Sequence, residues 1–227
     1  MPGEGLEPSR PEPSTDDVSA ADVDALLEIG TERWTIPIGI GDRELAPVGV
    51  RLSAGDHLLI AGGARSGKST LLAAVASVVR RRAGDVRVLA LASGSSPLGA
   101  IDGVELLAGA ADLGDLVDGL LGADDPVLIV IDEGDDLPGT EIGRLVTTRH
   151  PGLHMVAAVR PEVKTVYDHW ARAMGGCRLG VWLRPSAGVD ADLWRTPLPR
   201  RLPARVPPGR GLLVADGGTE LVQVMRP

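Results

Sequence analysis

The sequence is 227 residues long, with 44% hydrophobic and 24% charged residues, a composition typical of one folded domain with appendages. Its single cysteine, Cys177, excludes a disulfide framework and a multi-cysteine zinc site. The net charge of −8 arises in residues 1–32, where nine acids accompany one base, Arg10, so the rest of the chain is neutral. Because nucleic-acid binders draw most of their affinity from a basic surface, we expect no nucleic-acid partner.

The sequence predicts neither a secretory signal nor a membrane span. Its longest uncharged apolar runs fall well below the ~18 residues that a spanning helix needs, and its first residues lack the basic and apolar regions of a secretory signal. Residues 1–15 combine Pro, Glu, Gly and Ser without periodicity, which predicts a disordered linker. We expect a cytoplasmic protein without a direct membrane span, tethered to a membrane complex only through a larger parent protein.

The first predicted elements form an N-terminal helix and hairpin. Asp16 or Asp17 can cap a helix over residues 16–32 that Gly30 closes, and we expect this helix to dock on the main domain, residues 33–227. Two apolar runs, 34–40 and 47–52, flank a polar turn and predict a hairpin.

Beyond the hairpin, short apolar runs alternate with stretches of helical periodicity. Runs without polar alternation are typical of strands buried on both faces. The predicted strands are 57–61, 86–91, 127–131, 154–159 and 179–183; the predicted helices are one that Gly84 closes after the first strand, then 111–121, 137–149 and 162–174. This alternation indicates an α/β fold with a parallel, doubly wound sheet flanked by helices.

The end of the chain departs from this alternation. Residues 196–210 contain five prolines and no acid, which predicts an extended arm. Residues 211–226 contain two apolar segments around a DGG turn and predict a closing β-hairpin.

A phosphate-binding loop follows the first predicted buried strand. The residues expected to surround the nucleotide phosphates are Gly62, Gly63, Ala64, Arg65, Ser66, Gly67, Lys68, Ser69 and Thr70. They satisfy the pattern G-x-x-x-x-G-K-[ST] between a strand and a helix. Small residues let backbone N–H groups close around a phosphate, Lys68 reaches the β and γ oxygens, and the hydroxyl of Ser69 ligates Mg²⁺. The sequence therefore predicts ATP and Mg²⁺ as ligands.

Two carboxylates follow the predicted strand 127–131. Asp132 is placed to act at the metal, and Glu133 to orient a water molecule. A glutamate directly after the metal aspartate favours hydrolysis over transfer to a substrate. Arg160 follows the strand 154–159 at the same edge, where ATPases often place a group that senses the γ-phosphate; Val159 cannot serve, and Arg160 is equally consistent with a surface charge.

Four segments of the sequence resemble ATPase modules of the FtsK/SpoIIIE superfamily. They are the stretch IPIGIGDRELAPVGVRLSAGDHLLIAGGARSGKST, the strand VLIVIDE, the AVRP turn and the terminal PPGRGLLVADGGTELVQV. The chain is similar to the C-terminal module of EccC/EssC proteins of type VII secretion, or of related proteins that add a forkhead-associated domain. The resemblance covers residues 33–227 and implies a RecA-like P-loop NTPase of the additional-strand, catalytic-glutamate type.

The resemblance also implies roles and partners. Lys68 takes the role of the loop lysine, Ser69 and Asp132 hold magnesium, and Glu133 is the catalytic glutamate. Arg160 matches the family's sensor turn, where Val159 replaces a common glutamine. Implied partners are other ATPase modules of the same polypeptide or ring, and the signal peptide of a secreted protein.

Four functions remain open at this point. The first is an ATP-binding, slowly hydrolysing motor module of a protein secretion ATPase, and the second is a non-catalytic module in which bound nucleotide supports peptide binding. Intact Lys68, Ser69 and Glu133 favour the first, whereas Val159 favours the second. A DNA translocase is disfavoured by the neutral body, and a small-molecule kinase by the lack of an arginine-rich lid before Asp132.

Overall fold

The computed structural model describes residues 18–93, 95–107, 113–134, 137, 139–161, 169–185, 193–194, 196 and 206–227. Its strands are β1 Glu28–Ile29, β2 Arg33–Gly41, β3 Pro47–Ser53, β4 Leu58–Gly62, β5 Arg87–Leu91, β6 Val104–Leu107, β7 Val127–Ile131, β8 Leu153–Val159, β9 Gly180–Leu183, β10 Arg210–Ala215 and β11 Gly218–Val224. Its helices are α1 Lys68–Arg82, α2 Leu113–Leu121, α3 Gly139–Thr147 and α4 Trp170–Gly175. The described part of the chain contains no helix long and apolar enough to cross a membrane.

One sheet contains all of these strands. Its parallel half has the order β9-β4-β8-β7-β5-β6, so β8 lies between β4, which leads into the phosphate loop, and β7, which leads to Asp132. The strands β10, β11 and β2 continue the sheet beyond β9 in antiparallel pairing, and β1 and β3 pair with β2. This order confirms the predicted α/β fold with an additional strand between the two site-bearing strands.

Apolar side chains on the two faces of the sheet form two buried clusters. Helix α1 packs on one face through residues that include Leu71, Leu72, Val75 and Val79, all fully buried. Helices α2, α3 and α4 pack on the other face. Covering both faces explains why the parallel strands consist of uninterrupted apolar residues.

The five predicted buried strands and both predicted hairpins are confirmed. The sequence missed β6, because an edge strand of four residues with a half-exposed surface carries no strong apolar signal. The predicted linker over 1–15, most of the arm over 196–210, and part of the helix over 162–174 lie outside the described residues.

The predicted helix over 16–32 is wrong for the residues that the structure describes. Two short 3₁₀ turns, Ala20–Asp22 and Asp24–Leu26, precede β1. The backbone of this segment forms hydrogen bonds within these short turns and also to the end of the chain, where Ala20 N–H donates to the carbonyl of Arg226 at 2.7 Å. Val18, Ala20 and Val23 are nevertheless buried, so apolar residues of this segment pack against the domain.

Stability should depend on pH through His57, which is fully buried beneath the sheet. Burial, with a smaller contribution from His154, lowers the pKa of His57 to about 4. In the unfolded chain the imidazole takes up its proton near pH 6.5, so the unfolded state binds more protons between pH 6.5 and 4. We expect the free energy of unfolding to fall by about 3 kcal/mol over that range from this residue alone.

Urea unfolding at several pH values measures this effect. His57→Asn keeps a hydrogen-bond acceptor for the N–H of Met155, which donates to Nδ1 of His57 at 3.2 Å, but it cannot titrate. The variant should therefore lose stability less steeply than wild type as the pH falls. The same dependence of unfolding free energy on pH in both proteins would contradict the role of His57.

Candidate nucleotide site

The loop between β4 and α1 is tightly folded at both of its ends. A methyl group on Gly62 would lie 2.6 Å from Oγ of Ser66 and 2.9 Å from the carbonyl oxygen of Leu183. At the other end, Gly67 has a φ of 105°, a left-handed conformation that glycine adopts without cost, and α1 begins at the next residue. The two loop glycines of the sequence pattern are therefore required by packing and by backbone conformation respectively.

The side chain of Lys68 lies across the loop. Its ammonium group donates to the carbonyl oxygens of Gly62 at 2.8 Å and Gly63 at 3.0 Å. Gly63, Ala64 and Arg65 are exposed at the top of the loop, whereas Gly67 to Thr70 are half-buried at the start of α1. The amino end of a helix, with its unpaired N–H groups and positive dipole end, favours an anion.

The loop is joined to the end of β7 by a hydrogen bond between side chains. The hydroxyl of Ser69 donates to Oδ1 of Asp132 at 3.0 Å, and the hydroxyl of Ser96 donates to Oδ2 at 2.8 Å. Asp132 is only 5% exposed, and within the described residues no lysine or arginine pairs with it. A buried carboxylate without a basic partner is a suitable ligand for a cation.

Sequence reasoning missed Ser96. It precedes a 3₁₀ turn, Pro97–Ala100, whose N–H at Leu98 donates to its hydroxyl. The position of Ser96 after β5 could have indicated this role, because the carboxyl ends of parallel strands meet at one edge of the sheet. Since β5 and β7 are neighbours, the end of β5 lies beside Asp132, whose N–H also donates to the carbonyl of Leu91 at 3.0 Å.

Glu133 stands apart from this network. Its side chain is exposed, and it forms no hydrogen bond or ion pair within the described residues. Its backbone has a φ of 56°, an uncommon value for a residue other than glycine.

Arg160 and Val159 lie at the end of β8 with different surroundings. Val159 pairs with Ala61 in the parallel register, so Arg160 follows beside the beginning of the phosphate loop, and its side chain is exposed. Val159 is fully buried in the apolar cluster on the face opposite to α1. The structure thus places Arg160, and not Val159, at the surface of this edge.

The segment before β10 supports the loop from the side. The N–H of Gly209 donates to the carbonyl of Ser66 at 2.9 Å. A methyl group on Gly67 would lie 3.2 Å from the nitrogen of Gly209. The C-terminal hairpin is thereby connected to the phosphate loop.

Comparisons with known proteins bear on the fold and on the resemblance. No protein-family model matches the sequence. Over 50 residues, 22% of this chain and 8% of the other, the sequence is 42% identical to the ESX-1 secretion system protein EccCb1 of Mycobacterium tuberculosis. The predicted resemblance to EccC/EssC proteins is confirmed.

Two solved structures share the fold. ATPases 2 and 3 of EssC from Geobacillus thermodenitrificans match 92% of this chain and 44% of their own, with a TM-score of 0.72 and 17% identity. ATPases 2 and 3 of EccC from Thermomonospora curvata, in complex with a signal sequence peptide, match 99% of this chain and 45% of their own, with a TM-score of 0.70 and 22% identity. The EccC/EssC-like chain thus spans less than half the length of these relatives.

Packing at the start of the loop predicts different effects for two neighbouring glycines. Gly62→Ala would place a methyl group against backbone and side-chain atoms, and should destabilise the fold by about 1–3 kcal/mol, as overpacking does. Gly63→Ala is the matched control, because no contact within 4 Å of the added methyl group is found among the described residues. Urea unfolding of both variants measures the difference, and equal stabilities would contradict the loop geometry.

Proposed function

We propose that this chain is an ATP-binding, slowly hydrolysing module of a type VII-like protein secretion ATPase. The observation that carries the proposal is the hydrogen bond of 3.0 Å between Ser69 and Asp132. It brings a hydroxyl of the phosphate loop and a buried carboxylate from another strand to one point. Oxygen ligands at the start of a helix are what a magnesium–nucleotide complex requires.

Each residue of the site has its own role in binding. The backbone N–H groups of the loop hold the phosphates, and Lys68 exchanges its bonds to the carbonyls of Gly62 and Gly63 for bonds to phosphate oxygens. Ser69 and Asp132 would hold Mg²⁺, and Ser96 keeps the carboxylate of Asp132 oriented. Mg²⁺ held there would supply positive charge to the phosphate oxygens.

Glu133 and Arg160 are the candidates for the hydrolytic step. Glu133 follows Asp132 directly and is exposed, so its carboxylate can accept a proton from an attacking water. Arg160 is exposed at the end of the adjacent strand, where its charge can stabilise the γ-phosphate. Slow turnover is expected of the isolated module, since an arginine supplied by a neighbouring subunit can raise such rates by about 10³–10⁵.

The relatives support a role as one module among several. The chain covers 44% and 45% of two structures that each contain two ATPases, which is the share expected of a single module. We propose that it acts beside other ATPase modules of the same polypeptide or ring. In such an assembly the module works in the cytoplasm and is held at a membrane complex by other parts of the parent protein.

Nucleotide binding should depend on Lys68. ATP with Mg²⁺ should raise the melting temperature of wild type by mass action, corresponding to about 2.7 kcal/mol at a ligand concentration of 100 Kd. Lys68→Ala should abolish the shift, because the loop then lacks the cation that meets the phosphates. Arg82→Ala is the matched control, since it removes one positive charge at the opposite end of α1.

Thermal unfolding with and without nucleotide measures this prediction. A wild-type melting temperature that is unchanged by millimolar ATP and Mg²⁺ would refute the proposed binding. An equal loss of the shift in Arg82→Ala would show that overall charge, and not the loop lysine, is responsible.

Hydrolysis should depend on Glu133 much more than binding does. An oriented water matters only in the transition state, so Glu133→Gln should retain ATP affinity and lose turnover by about 100-fold or more. Phosphate release and equilibrium binding are measured in parallel, with Glu32→Gln, another exposed acid, as the control. Equal losses of binding and turnover would show that Glu133 has a structural role.

A second candidate is a peptide-binding module in which the nucleotide has only a supporting role. The complex of the Thermomonospora EccC ATPases with a signal sequence peptide favours it. So does a groove of about 600 Å³ between β3 and the β10–β11 turn, whose lining includes Arg43, Arg51, Glu28 and Glu220. Wild type that binds ATP and a signal-sequence peptide, but releases no phosphate under any condition, would support this candidate over the first.

A further inference from the structure

The backbone at Glu133 is held in a conformation that its residue type does not favour. Its φ of 56° lies in the left-handed region, where the side chain crowds the following carbonyl oxygen. Such conformations persist only where the surroundings impose them. On the N-terminal side, the N–H of Asp132 is anchored to the carbonyl of Leu91 at 3.0 Å, and a second constraint acts from the C-terminal side.

That constraint lies at Gly134, which is buried directly after Glu133. A methyl group on Gly134 would lie 2.7 Å from Cζ2 of Trp170, 3.0 Å from Cη2 of the same ring, and 3.0 Å from Cγ2 of Ile131. These are distances below or at the limit that real side chains tolerate. The indole of Trp170 therefore leaves no space between itself and the backbone of the turn.

Trp170 is itself held firmly. It is the first residue of α4, where Nδ1 of the preceding His169 accepts from the N–H of Ala171 at 3.1 Å. The indole is 3% exposed and belongs to the apolar cluster that contains Ile131 and Val159. Within the described residues its Nε1 has no hydrogen-bond partner, so the ring is positioned by packing alone.

We propose that Trp170 is a positioning residue for the catalytic glutamate. Its six-membered ring packs against Gly134, prevents the turn from relaxing, and so keeps Glu133 in the left-handed conformation that presents its carboxylate outside the apolar core. Trp170 acts through Glu133 and does not touch the nucleotide. The inference rests on the proposed function of Glu133 in hydrolysis, but the packing itself can be tested without turnover.

The contact between Gly134 and Trp170 is tested by enlarging the first residue and making the second smaller. Gly134→Ala should destabilise the fold, because the added methyl group meets the ring. Trp170→Phe shortens the ring at Cζ2 and Cη2, the atoms that the methyl group meets, and loses no hydrogen bond within the described residues. The double variant should therefore recover at least half of the shift in urea midpoint caused by Gly134→Ala, after the effect of Trp170→Phe alone is subtracted.

Trp182→Phe provides the matched control. Trp182 is another buried tryptophan of the same apolar cluster. The atoms nearest to a methyl group on Gly134 do not belong to Trp182. Combined with Gly134→Ala, it should give additive destabilisation with no recovery. Additive effects in the Trp170 pair as well would overturn the proposal, whether or not the protein hydrolyses ATP.

Kinetics then test the consequence for the glutamate. Gly134→Ala should lower kcat by about tenfold or more through displacement of Glu133 while leaving the ATP dissociation constant within about twofold, and Trp170→Phe should restore part of kcat in the double variant. In the Glu133→Gln background, Gly134→Ala should cause no further loss. Parallel losses of kcat and ATP affinity, or a further loss in the Glu133→Gln background, would overturn the positioning role.

Hydrolysis by Glu133 and positioning by Trp170 can be refuted separately. Wild type that binds ATP but releases no phosphate would refute the proposed hydrolysis, and the stability exchange would then decide the role of Trp170 by itself. Hydrolysis of ATP by wild type, together with additive changes in stability for Gly134→Ala and Trp170→Phe, would support the proposed function and refute the positioning role of Trp170.

Discussion

The hydrogen bond from Ser69 to Asp132 joins two segments that are 63 residues apart in the chain. It is possible only because β4 and β7 end at the same edge of one sheet, with β8 between them. That order requires parallel strands, and parallel strands require helices on both faces. The two apolar clusters, the helices α1 to α4 and the uninterrupted apolar strands all contribute to holding this pair of oxygen atoms together.

The antiparallel half of the sheet also contributes to the site. Gly209, at the entry to β10, bonds to the carbonyl of Ser66 in the phosphate loop. A methyl group on Gly209 would lie 2.8 Å from Nε2 of Gln223 in β11, so the hairpin fills the space behind this segment. The loop is therefore supported from α1 on one side and from the C-terminal hairpin on the other, and a movement of the hairpin would reach the loop through one hydrogen bond.

Two residues of the site have uncommon backbone conformations. Arg65 in the phosphate loop and Glu133 after β7 both have positive φ values without being glycine. Uncommon conformations of this kind are tolerated where neighbouring structure imposes them, and they cluster at functional positions. In the proposed arrangement, the buried Trp170 holds the backbone at Glu133 while the side chain of Glu133 remains outside the core.

The loop between β4 and α1, the five buried strands, both hairpins and the acidic pair Asp132–Glu133 could be predicted from the sequence, because each depends on neighbouring residues: a glycine pattern, an apolar run or a turn. The tertiary structure decided what depends on distant partners. Ser96 reaches Asp132 across the sheet, Trp170 packs on Gly134, and the backbone near Ala20 bonds to Arg226 instead of forming the predicted helix. Local periodicity cannot encode such contacts, since they follow from which strands become neighbours and from the space that remains between them.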